Sequence, residues 1–250
     1  MNLGIEGRTA LVMGASRGLG LAIAAALARE GARVAIASRT PEALAKAAAE
    51  IEGEVRAFRA ETGNLEHLAG VPAEVEEQLG PIEILVTNTG GPPAGGALDN
   101  DLEDWWAAYT SLVLAPRVLV EQVVPGMRDR RWGRIVNVGS SATRQPIPEL
   151  NLSNVHRAAA VAFFKTLAGE VAPEGITVNT VATGMFATQR LADLRGSLDA
   201  AQEVARQTVP ARRLGNPEEY GDLVAFLCSE RAAYLTGAVI PLDGGMVRSI

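Results

Sequence analysis

Met13-Gly14-Ala15-Ser16-Arg17-Gly18-Leu19-Gly20 decides the fold. The segment follows a short apolar run, Thr9–Met13, and opens an Ala- and Leu-rich helical stretch, Leu19–Glu30. Glycines at such a strand-to-helix turn let the backbone turn tightly and approach a diphosphate closely. The helix start then presents free N–H groups and the positive end of its dipole to that anion. A plain tight turn is the competing explanation, but three glycines directly after a first strand exceed what a turn requires. The segment therefore predicts a dinucleotide-binding βαβ unit, with Gly14, Ser16, Arg17, Gly18, Leu19 and Gly20 against the cofactor.

The same alternation continues along the chain. Apolar runs suited to strands occur at Thr9–Met13, Arg33–Ala37, Val55–Arg59, Ile82–Thr87, Arg134–Val138, Thr177–Val181 and Ala238–Leu242. Helical patterns such as Pro41–Ile51 and Arg157–Val171 lie between them. Near-continuous apolar strands are those of a parallel sheet covered on both faces. Right-handed crossovers then predict a doubly wound, Rossmann-type α/β fold with helices on both faces. No internal repeat or linker splits the chain, so residues 1–250 read as one domain.

Composition narrows the function. A net charge of −6 and the lack of a long basic run argue against nucleic acid or an anionic membrane as partner. Cys228 is the only cysteine, which excludes an internal disulfide and makes a thiolate metal site implausible. No metal-ligand cluster has useful spacing, and no uninterrupted apolar run reaches membrane-spanning length. With no signal-peptide pattern, the expectation is a cytoplasmic protein acting on a small molecule.

The end of the second strand separates the two nicotinamide dinucleotides. An NAD site usually places an acid there for the ribose 2′-hydroxyl. This chain has Ser38 and Arg39, with Arg17 available from the glycine turn. Two guanidiniums and a hydroxyl suit a 2′-phosphate, so the expected cofactor is NADP.

These motifs resemble the short-chain dehydrogenase/reductase family, in particular its 3-oxoacyl-[acyl-carrier-protein] reductases, over nearly the whole chain. The glycine segment is similar to that family's T-G-x-x-x-G-x-G, with Met13 for Thr. Thr87-Asn88-Thr89-Gly90 resembles N-N-A-G, and Asn179 to Thr188 resembles N-x-x-x-P-G-x-x-x-T, with Thr183 for Pro. Tyr234-Leu235-Thr236-Gly237 and Leu242-Asp243-Gly244-Gly245 are also similar to family segments. The resemblance implies a seven-stranded sheet, a tetramer or dimer, and hydride transfer. It places Glu61 and Thr62 at the adenine, Asn88, Thr89 and Gly90 along the cofactor, and Gly184, Met185 and Thr188 near the nicotinamide.

The catalytic set departs from the family. Its reductases use an Asn, a Ser, a Tyr and a Lys. Ser140 matches the Ser, but the ungapped segment through Lys165 puts Ser153 at the Tyr position and Arg157 at the Lys position. Leu112 stands for the Asn. A serine hydroxyl is a far weaker acid than a phenol of pKa about 10. Arg157 keeps the positive charge and can hold the nicotinamide ribose, but it does not relay protons.

His156, three residues after Ser153, is the candidate substitute proton donor, with a packed histidine as the competing reading. Tyr109 and Arg144 read better as a core or contact residue and a surface residue. The leading expectation is an NADP-dependent carbonyl reductase with an altered active site. The alternatives are a cofactor-binding sensor or assembly partner without turnover, and a lyase or isomerase in the same pocket.

Overall fold

The computed structural model describes residues 1–249. Seven parallel strands form one sheet in the order β3-β2-β1-β4-β5-β6-β7. They are β1 (Thr9–Met13), β2 (Arg33–Ser38), β3 (Val55–Arg59), β4 (Ile82–Thr87), β5 (Gly133–Val138), β6 (Ile176–Thr183) and β7 (Val239–Leu242). The order reverses between β1 and β4. A doubly wound sheet opens its ligand crevice at the carboxyl ends of the strands flanking such a reversal.

Strand periodicity explains the unbroken apolar runs. Ala10, Val12, Val34, Ile36, Ile84, Val86, Val136 and Val138 face one layer. Their neighbours Leu11, Met13, Ala35, Ala37, Leu85 and Ile135 face the other. Successive strand side chains point to opposite faces, so two cores require an apolar residue at every position. The first layer holds α1 (Gly18–Arg29), α2 (Pro41–Glu50) and α9 (Pro217–Leu227), through residues such as Ile23, Leu27, Leu44 and Val224. The second holds α3 (Leu65–Leu79), α5 (Ala115–Arg130) and α6 (Asn151–Val171), through Leu68, Val75, Leu119, Val123, Phe164 and Val171. Each such aliphatic side chain contributes about 1.5–3 kcal/mol over its exposed state. Cys228 lies in the first core, where burial pushes its thiol up to about 12.

The two longest helices lie before β5 and before β6. The segment from Leu102 to Arg130 is one continuous helix, built of α4 (Leu102–Tyr109), a π turn over Thr110–Leu114, and α5. Pro116 explains the π turn. It has no N–H for the Leu112 carbonyl, and its ring crowds the preceding turn. The chain relaxes by widening, and the Ala115 N–H donates to the Thr110 carbonyl instead. By length and composition this helix is long and apolar enough to cross a membrane. Its α5 part instead buries Leu119, Val123 and Met127 in the second core.

Helix α6 begins at Asn151, six residues before the expected start at Arg157. Leu150 stands at its N-cap and makes no side-chain cap, so the usual sequence signal is missing. Asn154 secures the turn from one step inside. Its amide nitrogen donates to the Ile147 carbonyl at 2.9 Å, and its amide oxygen accepts from the Ile147 N–H at 3.1 Å. The early start places Ser153, His156 and Arg157 all within the first two turns of α6.

Candidate active site

The glycine turn is shaped around the empty space that a side chain would take. Gly14 and Gly18 adopt φ of +60° and +59°. A Cβ on Gly20 would lie 2.7 Å from both the Gly14 carbonyl carbon and the Asn88 side-chain nitrogen. Asn88 donates from Nδ2 to the Gly14 carbonyl at 3.2 Å, tying the segment after β4 to the turn after β1. Helix α1 has no side-chain cap and no acidic residue in its first turn. Its N-terminal N–H groups and dipole are left for an anion.

At the end of β2 the Ser38 hydroxyl is buried and has no hydrogen-bond partner. A buried polar atom without a partner costs free energy, a cost that a ligand oxygen at this strand end would offset. Arg39 and Arg17 are exposed beside the same edge, and no carboxylate forms an ion pair with either among the described residues. Glu61 is exposed and Thr62 half-buried in the turn after β3, whose Arg59 pairs with Ser38. Thr89 and Gly90 continue from β4 beyond Asn88. These residues fit a dinucleotide phosphate and its adenosine end.

The other half of the cleft lies over β4, β5 and β6. Ser140 follows β5, and its hydroxyl accepts from the Ala142 N–H at 3.1 Å. Arg157 reaches back from α6 and donates from Nη1 to the Val138 carbonyl at 2.8 Å. Burial holds the Arg157 guanidinium down to about 10; Tyr220 opposes that fall and Arg190 adds to it. The group therefore stays cationic at neutral pH. Ser153, one turn before Arg157, is 8% exposed. Leu112, on the π turn, is 3% exposed.

The ring of His156 packs into an aromatic cluster. Its Nδ1 lies 2.7 Å from the Leu152 carbonyl one turn earlier. Its centroid is 5.2 Å from that of Trp105, edge to face, and 6.2 Å from that of Tyr109. The imidazole is 4% exposed. One nitrogen is spent on the backbone and the ring is walled by aromatics, so the packed reading describes it better than the proton-donor reading. Arg144 is exposed, as the surface reading has it, and donates from Nη2 to the Val239 carbonyl at 3.2 Å.

After β6, Gly184 hydrogen-bonds the Leu242 carbonyl and Met185 accepts from Gly215. Thr188 caps α7 (Gln189–Arg195), accepting from the Leu191 N–H at 3.3 Å. With α8 (Leu198–Thr208), α7 forms a small apolar cluster of its own, in which Met185 and Leu191 pack on Ala201, Ala205, Val209 and Leu214. Leu191 thus packs within this cluster, while Leu198 is 43% exposed. Asn179 and Thr236 prove structural. Asn179 bonds the Leu235 carbonyl and the Ala238 N–H, and Thr236 accepts from the Val178 N–H.

Two residues of this cleft were missed in the sequence. Tyr220 of α9 is fully buried, with its hydroxyl 2.9 Å from the Thr183 hydroxyl, and burial raises its phenol further from ionisation. The substitution at Thr183 was the available signal, because a hydroxyl in place of proline needs a partner. The second is Arg190, whose side chain crosses to the segment after β4. No local pattern announces that contact. Among the described residues no group of acidic, His or Cys side chains is arranged to hold a metal.

The family model described as enoyl-(acyl carrier protein) reductase matches residues 14–247. The chain is 37% identical over 247 residues to the 3-oxoacyl-[acyl-carrier-protein] reductase FabG of Vibrio cholerae, covering 98% of this chain and 99% of that one. It is 35% identical over 245 residues to dehydrogenase/reductase SDR family member 4 of Pongo abelii, covering 96% and 88%. Among solved structures, L-sorbose reductase of Gluconobacter frateurii, complexed with NADPH and L-sorbose, superposes with a TM-score of 0.93 at 33% identity, covering both chains fully. YwfH, an NADPH-dependent reductase involved in bacilysin biosynthesis, gives 0.91 at 30% identity, covering 97% and 99%. The chain belongs to the short-chain dehydrogenase/reductase family.

Proposed function

We propose that this protein is an NADP-dependent oxidoreductase that reduces a small carbonyl compound, of 3-oxoacyl or similar type, in an altered active site. The observation that carries the cofactor is Ser38, whose buried hydroxyl has no partner beside Arg39. A 2′-phosphate would satisfy that hydroxyl and meet the cation. L-sorbose reductase complexed with NADPH and the NADPH-dependent YwfH support the same choice. NADPH should bind at least about tenfold tighter than NADH, the ratio that one charge-assisted contact supplies. Equal affinities in a fluorescence titration would overturn the assignment.

When bound, the reduced nicotinamide supplies a hydride to the carbonyl carbon. The chain's own part is to orient the ligand, hold charge and admit a proton. Ser140 offers its hydroxyl to the carbonyl oxygen. Arg157 stabilises the negative charge that develops there. Ser153 is too weak an acid to replace a phenol, so water delivers the proton. His156→Phe should therefore keep turnover within about threefold of the parent, below the 10²–10⁴-fold that loss of a general acid costs. A hundredfold loss with the fold intact would restore His156 to the mechanism.

A second reading, binding of NADP without turnover, is favoured by Leu112 and Ser153 at the positions of the family's amide and phenol. NADPH oxidation tested on 3-oxoacyl esters, quinones and small aldehydes separates the two. Tight cofactor binding with no turnover on any of them selects the second.

We also propose a cytoplasmic homo-oligomer, a dimer or tetramer. Leu98, Leu102 and Trp106 stand 95%, 71% and 61% exposed at and just before α4, an apolar surface that a second copy would cover. A monomer in light scattering would remove this part of the reading.

A further inference from the structure

Arg190 lies on the first turn of α7, beyond β6, yet its Nη2 donates to the Pro92 carbonyl beyond β4 at 2.7 Å. The two residues are 98 positions apart in the chain. Gly91 makes the approach feasible. A Cβ there would lie 2.7 Å from Arg190 Nη2 and 2.9 Å from Nε. Arg157 reaches the end of β5 from the other side. Because β4, β5 and β6 are successive neighbours, both guanidiniums stand over the carboxyl edge of the same three strands.

Neither cation has an acid. Ion pairs elsewhere join Arg8, Arg29, Lys46, Arg117, Arg128, Arg206 and Arg213 to carboxylates. Among the described residues none includes Arg157 or Arg190, although acids outnumber basic residues 29 to 23 in the chain. Each spends one N–H on a backbone carbonyl, and a guanidinium carries five. Arg157 feels Arg190, which adds to the effect of burial in lowering it. Two neighbouring like charges over one cleft repel unless an anion joins them.

In the proposed function the cofactor's phosphates take the glycine turn, the α1 N-terminus, Ser38 and Arg39 as partners. We infer that Arg190, with Arg157 behind it, receives a carboxylate of the second substrate, so that the compound reduced is a free oxo acid. The inference rests on the reductase reading for its reaction. The hydride bonds to the keto carbon, the C=O π pair moves to oxygen, and that oxygen takes a proton from water. Oxo acid, NADPH and one proton give hydroxy acid and NADP.

The test uses the full chain loaded with oxidised NADP, so that binding is read without turnover. Acetoacetate and levulinate are titrated calorimetrically against their methyl esters. The acids should bind at least about tenfold tighter than the esters, the step expected for a charge-assisted contact. Arg190→Met should bring acid and ester within about twofold of each other, with Arg190→Lys between the two proteins. NADP affinity itself should move less than about threefold in Arg190→Met. Equal binding of acid and ester by the unaltered protein overturns the inference. So does a tenfold loss of NADP affinity in Arg190→Met, which would make the cofactor diphosphate the anion. NADPH oxidation is followed separately. Acids that bind but are never reduced would end the reductase reading and leave the carboxylate receptor standing.

Discussion

Gly20→Ala should weaken NADPH binding by at least about a hundredfold, equivalent to about 2.7 kcal/mol. The added methyl would lie 2.7 Å from both the Gly14 carbonyl carbon and Asn88 Nδ2. Its nearest neighbour is backbone, so a rotamer change cannot relieve the clash. The turn must open, and two things fail together. The Asn88 bond to Gly14 holds the β4 segment against the turn, and it stretches or breaks. The first N–H groups of α1 also swing off the diphosphate they would bind. Overpacking of this kind costs about 1–3 kcal/mol in stability, so the folded variant should survive at a lower melting temperature. A titration with NADPH beside a thermal melt checks both halves. An alanine variant that binds NADPH as the parent does would show that the turn is not the diphosphate site.

The layered sheet was legible because a parallel sheet buried on both faces leaves a strong local signature. Every position of Leu11–Met13 or Ile84–Val86 must be apolar, whichever face it serves. The observed strands accordingly lie within two residues of the expected ends. The glycine turn and the end of β2 were legible for a related reason, since each is a short segment directly following a strand.

The parts that were not legible depend on contacts between distant segments or on missing caps. Leu150 makes no side-chain cap, so the start of α6 carried no local mark. Pro116 alone signalled the π turn that carries Leu112, and a proline near a helix start reads equally well as a first-turn residue. His156 stood at a suitable spacing for catalysis, but spacing could not show Trp105 and Tyr109 packed about its ring. Arg190 was invisible because its partner is Pro92, a backbone carbonyl 98 residues away. In each case the periodicity of one element is silent about which other element it meets.

Arg157→Met should lower kcat/KM by about 10²–10³-fold while leaving the melting temperature unchanged or higher. The two effects have one cause. A largely buried guanidinium without a carboxylate keeps most of its desolvation cost. Its bond to the Val138 carbonyl at 2.8 Å offsets only part of that. Methionine has a similar unbranched stem and fills the space without the charge. Removing the cation therefore relieves the folded state, and it also relieves the repulsion felt from Arg190. The reaction loses what the fold gains. In the proposed reaction Arg157 is the cation that balances charge on the carbonyl oxygen. Arg157→Lys should recover part of the rate, because an ammonium keeps the charge but not the planar fork. A methionine variant that lost stability in step with its activity would mean that Arg157 only holds α6 to the end of β5. Intact turnover with a raised melting temperature would mean that the charge does nothing for the reaction.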